Sequence, residues 1–359
     1  MMPIPRLEID LEKIHHNASI LVKRLANRGI SVTGVSKATL GSAEIIDSLL
    51  RAGVSAIGDS RIENIEVMRL NEVPAKIILI RSPMLSQVER VTMYADVSLN
   101  TEIEVIRQLS RAAQKIQRTH GVVLMVELGD LREGIMPDDL IKTVRETLSL
   151  PNIVLKGIGT NLACRSGVSP DATNMAELSA LADLIESTFD LKLEIISGGN
   201  SANLEWALSG AETRRINDLR LGEAILLGCE TLHRQPINGL FTDAFTLVAE
   251  VIEMKAKPSQ PSGTIAQTAF GEALPVIDRG LVTQSILAIG RQDTDPQGLL
   301  PPAGIEIMGA SSDHLILVSD NCDLSVGSEV AFQLNYSALV LAMTSPFVSK
   351  IVKNSDWQK

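Results

Sequence analysis

The chain has 359 residues, 45% hydrophobic and 21% charged, a balance that suits a globular protein of two domains or of one large barrel plus an appendage. A formal net charge of −10 with no basic run excludes a nucleic-acid face, and no apolar stretch is long enough to span a bilayer. Three widely spaced cysteines, Cys164, Cys229 and Cys322, exclude a disulfide framework or a zinc site and suit a reducing cytoplasm, and the five histidines show no metal-ligand spacing.

The N-terminal MMPIPRLEIDLEK carries no apolar core of signal-peptide length. Within it RLEIDL alternates like a strand and runs into a helix that contains His15 and Asn17. Ile30 to Ser42, ISVTGVSKATLGS, predicts a short apolar strand ending on Lys37, then a small-residue turn and a helix. Seven further strands follow, with helices between them. They are VSAIGDS, ending at Asp59 and Ser60; AKIILIRS, ending at Ser82; and ADVSLN, ending at Asn100 before a helix over 101–118. Next come GVVLMVELG, which enters the loop GDLREG with Asp130, Arg132 and Glu133, and IVLKGIGTN, ending at Thr160 and Asn161. LEIISGGNS and LRLGEAILLG close the series.

Eight apolar strands alternating with helices predict a (β/α)8 TIM barrel over 9–235, with its site at the C-terminal ends of the strands. A doubly wound open sheet would usually show GxGxxG after its first strand, and none is present. Beyond residue 236 short alternating runs (FTLVAEVIEM, SILAIGR, LILVSD, EVAFQL) stand between Gly, Pro, Asn and Asp clusters. They predict a C-terminal all-β domain over 236–359, with which the N-terminal strand, residues 1–8, can pair.

A lysine at the end of a buried strand either leaves the core at once or does chemistry there. For Lys37 the choice depends on what the other strand ends carry. SGGNSAN offers Gly198, Gly199, Asn200 and Ser201 after the seventh strand, and RLGEA offers Gly222 at the eighth. Each piece alone is a tight turn as readily as an anion site; together they suit phosphate, because free amides and a helix dipole favour negative charge there. A lysine facing a phosphate cradle can serve pyridoxal 5'-phosphate. Arg220 then stands where a cationic donor meets the pyridine nitrogen; alternatively it is an exposed salt-bridging residue. An arginine at that nitrogen stays protonated and leaves the ring unprotonated. Such a ring is a weaker electron sink, which disfavours transamination and suits removal and return of a proton at Cα.

The segments GVSKAT, GDSRIEN, RSPMLSQVE, ELGDLREG, KGIGTNLAC, ISGGNSAN, LRLGEAILLG, LAIGRQDTD and GASSDHLI together resemble the fold-type III pyridoxal-phosphate enzymes of the alanine racemase family. Within it the chain is most similar to the predicted amino-acid racemases typified by ornithine racemase, over essentially its whole length. The resemblance implies Lys37 as the Schiff-base lysine and one proton carrier, and Arg132 as the arginine near the cofactor's phenolic oxygen. It implies Ser201, Gly222 and the backbone of Glu223 as phosphate cradle and Arg220 as the pyridine-nitrogen partner. Asn200 and Tyr336 complete the expected cofactor contacts.

Two positions depart from the family. Asn161 stands where alanine racemases place an imidazole against the cofactor ring. Gly290-Arg291-Gln292-Asp293-Thr294-Asp295 stands where they carry the catalytic tyrosine. A second proton carrier therefore has to come from elsewhere. The candidates are Cys164 in the barrel and Asp313 or His314 in the β domain, with Tyr336 also in that domain. Their plainer readings are a buried filler, a strand-end residue and a core aromatic. By family analogy the protein is a homodimer in which one subunit's β domain closes over the other's barrel mouth. That favours His314 or Asp313 acting in trans over Cys164. The same resemblance points to a basic amino-acid substrate, whose distal ammonium Asp59, Asp130 or Glu133 would meet unless those acids are solvated or paired with Arg61 and Arg132. A fold-III decarboxylase usually carries a glutamate at the ring nitrogen and a triple-glycine loop, so Arg220 and SGGNS argue against one. A single-domain pyridoxal-phosphate homeostasis protein lacks the β domain.

Overall fold

A computed structural model of the protein describes residues 4–271, 277–319 and 324–353; Cys322 and residues 1–3 of the expected N-terminal strand lie outside the described residues. After strand β1 (Arg6–Asp10) and helix α1 (Leu11–Ala26) the chain alternates strand and helix. The series runs β2 (Ser31–Val35), α2 (Ala43–Arg51), β3 (Ala56–Asp59), α3 (Ile62–Leu70), β4 (Ile77–Leu79), α4 (Val88–Tyr94), β5 (Val97–Asn100) and α5 (Ile103–Lys115). It continues with β6 (His120–Met125), α6 (Pro137–Leu148), β7 (Ile153–Gly159), α7 (Ala172–Phe189), β8 (Ile195–Ser197), α8 (Leu204–Leu208), β9 (Asp218–Leu221) and α9 (Glu223–Leu227).

Strands β2 to β9 close into a parallel eight-stranded barrel, as the alternation predicts. Every second residue of a strand shares a face, and Ala56, Ile78, Val97, Leu99, Val123 and Met125 pack together on this pattern across β3 to β6. The helices end where their caps dictate. In α2 the Ser42 hydroxyl accepts from Ile45 N, and in α7 Asp171 and Asn174 form a reciprocal capping box.

The second unit comprises Met1–Leu11 and Asp243–Lys359, and Glu12–Thr242 forms the first. The boundary lies past the expected 235/236 because the segment after α9 stays tied to the barrel unit. Cys229 bridges to Pro236, Ile237 N donates to Gly228 O, and Asn17 holds Phe241 through both its amide nitrogen and its amide oxygen. The second unit holds β10 (Phe245–Pro258), β11 (Leu281–Leu287), β12 (Leu299–Leu300), β13 (Ile305–Ala310), β14 (Leu315–Ser319), β15 (Glu329–Leu334) and β16 (Ser349–Lys353). Its order is β12-β15-β10-β11-β14-β13, with β1 antiparallel to β10 and parallel to β16.

This unit is not purely β, because Tyr336–Thr344 forms helix α10. A short apolar run fits strand and helix alike by periodicity. Here Asn335 decides it by capping the first turn, accepting from Ala338 N at 2.9 Å.

Candidate active site

Strand β2 stops at Val35, and the chain turns at once through a single 3-10 turn, Lys37–Thr39, so Lys37 is not carried into the core. Ser36 anchors that turn: its hydroxyl donates to Asp59 Oδ2 at 2.8 Å, and its carbonyl accepts from Thr39 Oγ1 at 2.9 Å. The Lys37 side chain is exposed, yet protein surrounds the mouth into which it opens. That surrounding protein, followed by the charge of Arg132 and Arg220, pushes its ammonium below the ordinary lysine value, while Cys164 and Asp59 act in the opposite direction. Lys37 is thus within electrostatic reach of Arg132, Cys164, Asp59 and Arg220.

Arg220 lies on β9 and is buried, which corrects the alternative of an exposed salt-bridging residue. Its Nη1 donates to Ser197 Oγ at 2.5 Å and its Nη2 to the Thr160 carbonyl at 2.8 Å. Nη2 also reaches Asn161 Oδ1 at 3.5 Å. Burial lowers its pKa, with the nearby Asp218 opposing. Asn161 Oδ1 also accepts from Asn200 Nδ2 at 3.2 Å. Its oxygen therefore faces two donors, and its Nδ2 is buried without a partner. A buried unpartnered donor beside a cationic arginine suits a ligand that brings an acceptor.

Two acidic residues shape the loops over this end. Glu127 Oε1 accepts from Gly129 N at 2.6 Å and Leu131 N at 3.0 Å, winding the loop that presents Arg132. Asp130 reaches across to the loop after β7 and accepts from four backbone N–H groups, those of Cys164, Arg165, Ser166 and Val168. Burial would raise its carboxyl pKa, and these four hydrogen bonds more than offset that and hold it below the usual carboxylate value. Cys164 is thereby fixed beside Asn200, whose Nδ2 donates to Sγ at 3.2 Å.

These bonds favour the alternative in which the three acids are already engaged within the protein. Asp130 is fully buried and occupied by backbone N–H groups. Asp59 is fully buried and accepts from Ser36, Arg61 N and Asn64, with burial pushing its carboxyl up. Glu133 pairs with the Arg132 guanidinium.

The two loops expected to cradle a phosphate are joined by one serine. Gly199 has φ +138°, and a Cβ there would lie 2.4 Å from Asn203 Oδ1, so only glycine fits the turn. Asn200 Oδ1 accepts from Ala202 N at 2.8 Å, and Ser201 Oγ accepts from Ala224 N at 3.2 Å, linking this loop to the head of α9. A Cβ on Gly222 would meet Val35 Cβ at 3.2 Å, so the backbone there lies close to the end of the strand that leads into Lys37. The Glu223 side chain turns to Arg234 and leaves its backbone to the loop. Among the described residues no three His, Cys, Asp or Glu side chains gather as a metal site, and no helix is long and apolar enough to cross a membrane.

Residues 9–229 match the family model described as "Alanine racemase, N-terminal domain". The chain is 39% identical to an ornithine racemase of Acetoanaerobium sticklandii, covering 96% of this chain and 99% of that protein. It is 36% identical to a lysine racemase of Thermotoga maritima, over 99% and 100% of the two chains. The chain belongs to the alanine racemase family. The alanine racemase of Streptomyces coelicolor A3(2) shares the fold, with a TM-score of 0.76 at 15% identity and 98% of each chain covered.

Against that family pattern, the β unit joins two segments that are distant in sequence. The 290–295 segment, expected to stand where alanine racemases carry their tyrosine, packs against the turn that carries Asp313 and His314. Arg291 N donates to Ser311 O at 3.0 Å and Gln292 N to Ser312 O at 2.9 Å. A Cβ on Gly290 would lie 2.4 Å from both Asp313 N and Ser312 O. His314 Nδ1 lies 2.9 Å from Asp313 Oδ1, and both side chains are exposed. Tyr336 opens α10 in the same unit and is half-buried. Three residues that the sequence pattern does not single out, Thr33, Ser197 and Asp218, join Arg220 in one buried polar cluster.

Proposed function

We propose that this protein is a pyridoxal 5'-phosphate-dependent racemase that interconverts the enantiomers of a basic amino acid. The observation that carries the reading is Arg220, a buried cation fixed by Ser197 and Thr160 at the barrel end where Lys37 opens. The residues present fit the cofactor. Gly199, Asn200, Ser201, Gly222 and the Glu223 backbone would hold its phosphate, Arg220 its ring nitrogen and Arg132 its phenolic oxygen, with Asn161 offering an unpartnered donor. Tyr336 of the β unit is assigned to the cofactor as well, on the family pattern. When bound, the cofactor delocalises the electron pair left on Cα after proton loss. Arg220 limits that delocalisation by keeping the ring nitrogen unprotonated, which favours return of the proton to Cα over transfer elsewhere.

Racemisation needs an acid–base group on each face of Cα, because one group on one face returns the proton where it came from. Lys37 serves one face; its ammonium is shifted toward the neutral form that accepts a proton. For the other face we assign His314, with Asp313 as its orienting partner, acting across a homodimer, and rank Cys164 behind them. A carboxylate only accepts, so Asp313 fixes a proton on His314 Nδ1 and leaves Nε2 for the transfer. The free thiols of Cys164 and Cys229 accord with a reducing cytoplasm.

The basic substrate rests on the ornithine and lysine racemases that resemble the chain. A turnover panel over both enantiomers of ornithine, lysine, arginine, alanine and serine tests it. Interconversion of ornithine or lysine with total amino acid preserved is expected. Preference for alanine overturns the basic class, and release of carbon dioxide with an amine overturns racemisation.

A further inference from the structure

Asp218 and Arg220 are two residues apart on β9, so both point to one face of a buried strand. Their relative exposures are 7% and 6%, and Ser197 on the neighbouring strand is at 2%. They do not form a direct ion pair. Ser197 Oγ donates to Asp218 Oδ2 at 2.6 Å and accepts from Arg220 Nη1 at 2.5 Å. Thr33 Oγ1, on the other neighbouring strand, donates to Asp218 Oδ1 at 2.8 Å. Each Asp218 oxygen is thus held by a hydroxyl, and the carboxylate reaches the guanidinium only through Ser197.

A buried cation is costly unless an opposite charge compensates it. A direct carboxylate fork would supply that compensation but would occupy two of the five N–H groups of the guanidinium. Compensation through one hydroxyl uses a single N–H group. The Thr160 carbonyl and Asn161 Oδ1 then fix the Nη2 edge, so the guanidinium plane is set and its remaining donors stay available to a ligand. We propose that Asp218 and Ser197 are positioning residues that hold Arg220 charged and oriented toward the ring nitrogen of the bound cofactor. The proposal deepens the cofactor reading above and rests on it.

The test compares two ligands on the full chain stripped of cofactor: pyridoxal 5'-phosphate and its 1-deaza analogue, in which a C–H replaces the ring nitrogen. Binding is followed by fluorescence titration, without turnover. The parent protein is expected to bind the natural cofactor more tightly than the analogue. Ser197→Ala should lose about tenfold to a hundredfold for the natural cofactor, the range for a hydrogen bond to a charged group, and little for the analogue. Ser197→Thr, which restores a hydroxyl, should recover most of the difference. Asp218→Asn should show the same ligand dependence, and circular dichroism checks that each variant is folded. Equal losses for both ligands mean that the cluster merely supports the barrel, and no loss for either means that it does nothing at the site. Both results overturn the proposal. If the parent itself does not distinguish the ligands, the Arg220 assignment fails and takes this inference with it. If the parent distinguishes them and Ser197→Ala keeps the ratio, this inference alone fails.

Discussion

Replacing Asp130 with asparagine is expected to release the loop that carries Cys164 while leaving the barrel folded. Oδ2 accepts from Cys164 N at 3.1 Å and Arg165 N at 2.9 Å, and Oδ1 from Ser166 N at 3.0 Å and Val168 N at 3.4 Å. An asparagine keeps one oxygen and sets an NH2 against the other two N–H groups. Two donors left unsatisfied cost about 1–3 kcal/mol each, and the other two lose the strengthening that a charged acceptor gives. A loop faced with about 3 kcal/mol opens locally rather than unfolding a whole domain, and this amount corresponds to about a hundredfold faster amide exchange. Hydrogen–deuterium exchange should therefore quicken across 162–170 and stay unchanged in β2 to β6. The parent protein should show the same opening in acid. The Asp130 carboxyl is held below its usual value, so its contribution is complete at neutral pH and is lost as the pH falls through the folded value. Unchanged exchange at 164–168 in the variant refutes this reasoning.

Two further outcomes follow from buried or exposed histidines. His120 is buried with Nε2 2.8 Å from Ser98 Oγ, and burial pushes its pKa down to about 4. The unfolded chain binds that proton near pH 6.5, so stability should fall as the pH drops from about 6.5 toward 4, by about 3 kcal/mol in all. Urea midpoints for the parent and His120→Gln, measured at pH 7 and 4.5, check this; an equal pH dependence in both proteins contradicts it. His314 is tested by mixing inactive Lys37→Ala and His314→Ala chains after dissociation and reassociation. Random pairing makes half of the dimers hybrid with one intact composite site each, so about a quarter of the parent activity should return. Full activity in His314→Ala, with loss in Cys164→Ser, moves the second proton carrier into the barrel.

The barrel and the ends of its strands were legible because each strand is a short apolar run and each end carries a distinctive residue. Lys37, Arg220 and the SGGNS and RLG loops are all legible in the sequence itself. The partners of Arg220 could not, since a lone serine and a lone aspartate carry no spacing signal. Ser197 and Asp218 meet only through the parallel register of β8 and β9, and Thr33 joins them through the pairing of β2 with β9. One signal was present: Asp218 and Arg220 alternate with leucines in DLRL, placing two charges on one face of a strand that reads as buried. Asp59 and Asp130 misled for a related reason. A carboxylate at a strand end reads the same whether it awaits a ligand or caps backbone N–H groups, and the bonds given to Asp130 come from residues 164–168, far along the chain. Helix α10 was missed because its apolar run gives no strong period, and only the Asn335 cap distinguishes it.

The most direct measurement of the central claim is borohydride reduction of the purified protein followed by peptide mapping. Burial, with the charges of Arg132 and Arg220, lowers the Lys37 pKa against the opposing effect of Cys164 and Asp59. The account predicts one phosphopyridoxyl label, on Lys37, lost in Lys37→Ala. A label on another lysine, or a protein that takes up no cofactor after incubation with pyridoxal 5'-phosphate, contradicts it.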